Sequence, residues 1–188
     1  MENRYKQSGR SMMEMLGVLA IVGILSVGGI AGYSKAMMKM KINKLIQQIT
    51  SINNNIQTLY INGQDYDFDT EQAIAAGIIP DDMIDEDGNV VNAFGGEVEV
   101  RSGTQWFGPN YYVIYFYGLP KQNMAEIGSR NWEILGNNLM QVSMCGSDWD
   151  RDNFSGYYFN GNPPKISDII DECDGYGDTY IYFYFEKQ

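Results

Sequence analysis

Hydrophobic and polar positions follow three different rules along this 188-residue chain. From Met15 to Ser34 there is no alternation, and 20 residues pass without a charge. A helix rises about 1.5 Å per residue, so this run spans roughly the 30 Å of a bilayer core. The second rule starts at Ile42. Ile42, Leu45, Ile46, Ile49, Ile52, Ile56, Leu59 and Tyr60 recur at steps of three and four, with Lys, Gln, Asn and Ser between them. That is one amphipathic stripe. Proline is absent from residues 10–60, so the two stretches predict a single helix of about 50 residues, apolar all round and then one-faced. Asn53-Asn54-Asn55 is its expected weak point, a place for a bend.

The third rule, period two, governs the rest. Asp69 and Gln72 are spaced as a helix N-terminus, and Gln72–Gly77 reads as a short helix ended by glycine. Pro80 blocks its continuation, and Asp81–Gly88 is an acidic turn. Val98 and Val100 alternate with Glu97, Glu99 and Arg101, a strand with one wet face. Tyr111–Tyr117, Met140–Met144, Tyr157–Phe159 and Tyr180–Phe185 are β-prone, and in the last Ile181, Phe183 and Phe185 share a face. Lys121–Ser129 predicts a helix after Pro120. Ile166, Ile169, Ile170 and Cys173 predict another, with Ser167 available as its cap. The expected fold class is α+β: a long N-terminal helix with an antiparallel sheet of four to five strands packed on its second half.

Charge divides the chain where the pattern does. Residues 1–44 hold seven basic residues against two acidic ones, and residues 62–188 hold 22 acidic against six basic. The net charge of −11 therefore belongs to the C-terminal part. An acidic domain is a poor partner for nucleic acid, because phosphate contacts need Lys and Arg. The chain has no histidine, which removes the commonest general base and metal ligand together. No catalytic constellation stands out, and an enzyme is not expected. Cys145 and Cys173 are the two cysteines. In a domain that follows a membrane segment they point to export and one disulfide, the alternative being two buried free thiols.

The apolar run is preceded by Gly9 and Arg10 and opens on a carboxylate, Glu14. An acidic residue at the lip of an apolar helix is costly in lipid and marks a functional pairing. The small residue comes before the apolar run, opposite to a cleaved secretory signal, so the run would be kept. Arg4, Lys6 and Arg10 would hold the N-terminus on the cytoplasmic side. A plain signal anchor is the bland reading. Glycine before the cut, glutamate as the fifth residue after it, then 20 uncharged residues and an amphipathic continuation: here the chain resembles the type IV pilins and pseudopilins. The resemblance implies cleavage by a prepilin peptidase after Gly9, methylation of the new N-terminus at Arg10, and pairing of Glu14 with the amine of a neighbouring subunit. Arg10 departs from the Phe, Met or Leu usual in the family. The proline many major pilins carry in this helix is missing. Gly28 and Gly32 form a small-xxx-small pair that lets helices approach closely, or softens the segment together with Gly29.

A second resemblance lies further on. Ala73-Ile-Ala-Ala-Gly-Ile-Ile-Pro-Asp-Asp-Met83, Asn92-Ala-Phe-Gly-Gly96 before a strand, and Gly118-Leu-Pro120 before a short helix look like the heads of type IVb pilins, including thin conjugative pilus subunits. In that group a disulfide joins the helix after the proline to a cysteine near the C-terminus. Cys173 fits the second position, but the first holds Met124. A Cys145–Cys173 bridge is thus a shifted version of the family's.

These readings imply a leader at residues 1–9, a transmembrane or filament-core helix at 10–33, its amphipathic continuation at 34–61, and a globular head at 62–188. The expected function is that of a pilin, a structural subunit of a helical filament. It would be inserted singly through the inner membrane with its head in the periplasm, then carried into an extracellular pilus or a periplasmic pseudopilus. The partners implied are further copies of itself, the peptidase, the membrane and a pilus or secretion assembly platform, with no nucleic acid. The alternatives are a minor pilin or pseudopilin of a type II secretion or conjugation machine, and an uncleaved membrane-anchored binding domain. No cofactor is expected. Asp148, Asp150 and Asp152 stand at alternate positions as a calcium loop begins, but Asn153 and Phe159 replace its glycine and closing glutamate, so a solvated acidic loop is the expected state. The dense tyrosines read equally as an adhesive or packing surface and as ordinary strand filling.

Overall fold

The structure, a computed structural model, describes residues 4–62, 65–103, 108–145, 165–174 and 179–187. The chain divides into two compact units, Met1–Lys41 and Ile42–Gln188. Helix α1, Arg4–Leu59, contributes to both. It begins six residues ahead of the expected start, because nothing from Arg4 to Gly9 breaks a helix.

In the second unit, Ile42, Leu45, Ile49, Ile52 and Ile56 are fully buried, as the stripe requires. Each such side chain stabilises the head by about 1.5–3 kcal/mol. Leu59 falls off the stripe and is half exposed. Helix α1 passes through the asparagine run unbroken. Two of the run's side chains are tied into the head. The buried Asn53 donates to the Leu135 carbonyl at 2.8 Å, and Asn55 donates to the Ile78 carbonyl at 2.9 Å. Gln48, also buried, accepts from the backbone N–H of Ala93 at 3.0 Å.

Helix α2, Thr70–Ala75, has the expected capping box. The Asp69 carboxylate accepts from Gln72 N–H, and the Gln72 side chain accepts from Asp69 N–H, both at 2.9 Å. Gly77, at φ +70°, ends it, with Ile78 N–H returning to the Ala73 carbonyl. A 3-10 turn, Asp81–Met83, follows. In the next turn the Asp85 carboxylate accepts from the N–H groups of Asn89 and Asp87 and from the Asn89 side chain. These bonds, Asn89's first, hold its pKa below the usual carboxylate value.

The sheet comprises β1 (Val98–Ser102), β2 (Tyr111–Phe116), β3 (Leu139–Met144) and β4 (Ile181–Glu186), all antiparallel, in the order β1-β2-β4-β3. Register lines up the inward residues in rows. Val100, Ile114, Phe183 and Val142 form one, and Val98, Phe116, Ile181 and Met144 another. All eight are buried. Helix α3, Lys121–Gly128, packs on α4, Ile166–Asp174. Ser167 lies inside α4 rather than capping it, because the single carbonyl of Lys165 accepts from the N–H groups of both Asp168 and Ile169. The tyrosines divide by face. Tyr112 points inward, while Tyr111, Tyr115, Tyr182 and Tyr184 are half-buried on the other face, with Tyr111 stacked on Tyr184 at 5.3 Å and Tyr115 tilted against Tyr182 at 5.4 Å. Tyr157–Phe159 lies outside the described residues.

Candidate functional site

Between Met12 and Tyr33, α1 exposes its apolar side chains on every face. Met13, Leu16, Leu19, Ile24, Leu25, Val27 and Ile30 are each more than 60% exposed. A soluble helix hides such a surface, and one this long and apolar is able to cross a membrane by length and composition. Its single hydroxyl in the middle is satisfied internally: Ser26 donates to the Val22 carbonyl at 2.7 Å.

Gly9 and Arg10 lie within α1. Glu14 sits one turn further on, exposed between Met13 and Met15, and has no ion-pair partner among the described residues. A carboxylate in that setting needs a positive partner once water is removed. Gly28 and Gly32 are on the same exposed helix. A Cβ at either, or at Gly29, would meet nothing within 4 Å in this chain. No contact inside the molecule therefore requires these glycines.

The two cysteines, placed apart in sequence, are brought together. Cys145, directly after β3, and Cys173, in α4, form a disulfide with Cα atoms 5.0 Å apart. Both are buried. The bridge ties α4 to the sheet's edge strand. Met124, at the position the resemblance assigned to a cysteine, is buried in α3. Asp148, Asp150 and Asp152 lie outside the described residues, and among the described residues no cluster able to hold a metal occurs.

One polar constellation was not foreseen. Tyr112 donates its hydroxyl proton to Asn53 Oδ1, and Asn138 donates to the same hydroxyl at 3.2 Å. Gln57 donates to Asn53 at 3.2 Å. The trace in sequence is a polar residue standing on an apolar stripe, Asn53 between Ile49 and Ile56.

The family model described as Bundlin matches residues 35–174. No curated protein matches the chain. Among solved structures, the type IVb pilin from Salmonella typhi is 17% identical, with a TM-score of 0.48 over 78% of this chain and 99% of that one. TcpA, a type IV pilin from Vibrio cholerae El Tor biotype, is 13% identical, with a TM-score of 0.50 over 77% and 98%. At such identities the likeness concerns the fold alone, and the TcpA match carries it.

Proposed function

The chain belongs to the bundlin family of type IVb pilins, structural subunits rather than enzymes, and from that membership we propose how its N-terminal helix is used. The helix anchors the newly made subunit in the inner membrane with the head on the periplasmic side. Cleavage after Gly9 frees the amine of Arg10, and the subunit then polymerises with its apolar helix in the filament core. The carrying observation is the helix surface from Met12 to Tyr33, apolar on all sides and uncovered within the chain.

Moving that surface from lipid into an equally apolar core brings little net hydrophobic gain. Packing and polar pairing must then set the register. Glu14 is the one carboxylate in the core, and the amine of Arg10 in the next subunit is its partner in this reading. Gly28 and Gly32, with open space where a side chain would stand, allow neighbouring helices to approach closely.

Mass spectrometry of the mature chain tests the processing. The expected first residue is Arg10, with or without a methyl group, and a chain that still starts at Met1 overturns the proposal. Glu14→Ala tests the pairing. The variant is expected to stay in the membrane and to be missing from sheared filaments. Normal filaments from it would remove Glu14's role.

A further inference from the structure

The stretch Lys35-Ala-Met-Met-Lys-Met-Lys41 belongs neither to the uncharged run nor to the head. The uncharged run ends at Ser34, and the head's compact unit begins at Ile42. Between them, lysine and methionine are interleaved. Met40 is 63% exposed, and Tyr33, just below, is 66% exposed. Long apolar stems with a charge at the tip, next to an exposed aromatic ring, suit the layer between acyl chains and headgroups.

Dimensions agree. With the uncharged run filling the roughly 30 Å core, Lys35 reaches its edge, and Lys41 lies about 9 Å beyond it. A headgroup layer is about 5–8 Å thick on each side. Lys44, inside the head unit, pairs with Asp82 at 3.2 Å. Lys35 and Lys39 are exposed and make no ion pair among the described residues. Their placement is costly as well. Four lysines follow the span within ten residues, against Arg4, Lys6 and Arg10 before it. A translocated flank is ordinarily poor in lysine.

We propose that Lys35 and Lys39 form a collar that binds anionic phospholipid headgroups in the leaflet facing the head, holding the subunit at a fixed depth before assembly. This rests on the membrane reading above. The lysine ammonium groups hydrogen-bond the lipid phosphates, with the exposed Tyr33 below them at the acyl boundary. The attraction is electrostatic, so salt weakens it.

The test uses the full chain, reconstituted into vesicles of phosphatidylcholine alone or with one quarter phosphatidylglycerol, at low and high sodium chloride. Partitioning between the two kinds of vesicle is measured for wild type and for Lys35→Gln/Lys39→Gln. Wild type is expected to prefer the anionic vesicles, and the double variant to lose about tenfold or more of that preference at low salt. An equal preference in both proteins, with both inserted, overturns the collar alone. Failure to insert into either kind of vesicle overturns the membrane reading and the collar with it. A variant that keeps its lipid preference but no longer enters filaments assigns the lysines to carboxylates of a neighbouring head and overturns the lipid role.

Discussion

The hydroxyl of Tyr112 joins α1, β2 and the approach to β3 through Asn53 and Asn138. Its ring stacks on Phe185 at 4.9 Å and meets Tyr66 edge-on at 4.9 Å. Burial pushes its pKa well above the ordinary phenol value. The unfolded chain then releases this proton near pH 10 while the folded chain keeps it. The contribution to stability is full below pH 10 and falls as pH rises above it. Thermal melts across pH 8–11 should therefore show a falling melting temperature above pH 10, less steep in Tyr112→Phe. At neutral pH the same variant leaves Asn53 and Asn138 short of a partner and should lose about 1–3 kcal/mol. A variant as stable as wild type would mean that the hydroxyl is dispensable.

Among the elements, β1 and β2 approach closely where the chain enters the one and leaves the other. A Cβ on Gly96 would fall on the backbone carbonyl of Tyr117, which cannot swing aside as a side-chain tip does. Gly96→Ala is expected to destabilise the head by at least about 2 kcal/mol, seen as a lower urea midpoint. Gly29→Ala has open space and makes the comparison; its urea midpoint should not fall. Individual elements were legible because their signals are local. The Asp69–Gln72 capping box, the Val98–Val100 alternation and the inward Ile181, Phe183 and Phe185 each depend on neighbours a few residues away. The tie that Asn53 makes was not legible, because its acceptor, Leu135, stands 82 residues later. Leu59 was over-counted because helical spacing does not say where the head stops covering the helix. The strand order was not legible, since pairing between strands far apart in sequence leaves no local signal. For the site, hydropathy alone located the apolar helix. Glu14 and the exposed glycines have their role only in the proposed filament, whose other subunits a single sequence does not contain.

At the scale of the whole molecule, the Cys145–Cys173 bridge holds α4 to the end of the edge strand β3. The chain-entropy estimate for its 28-residue span is about 3–4 kcal/mol. Reduction, or Cys145→Ser with Cys173→Ser, should lower the chain's unfolding midpoint accordingly, and an unchanged midpoint would show that the bridge is ornamental to stability. The sheet order has a consequence of its own for how the molecule is made. β4, last of the four strands to be synthesised, lies between β2 and β3, which have no pairing with each other. Until it arrives, the earlier strands have a gap where the centre belongs, and Cys173 is made only shortly before it. A chain that lacks β4 is thus unable to present a finished head.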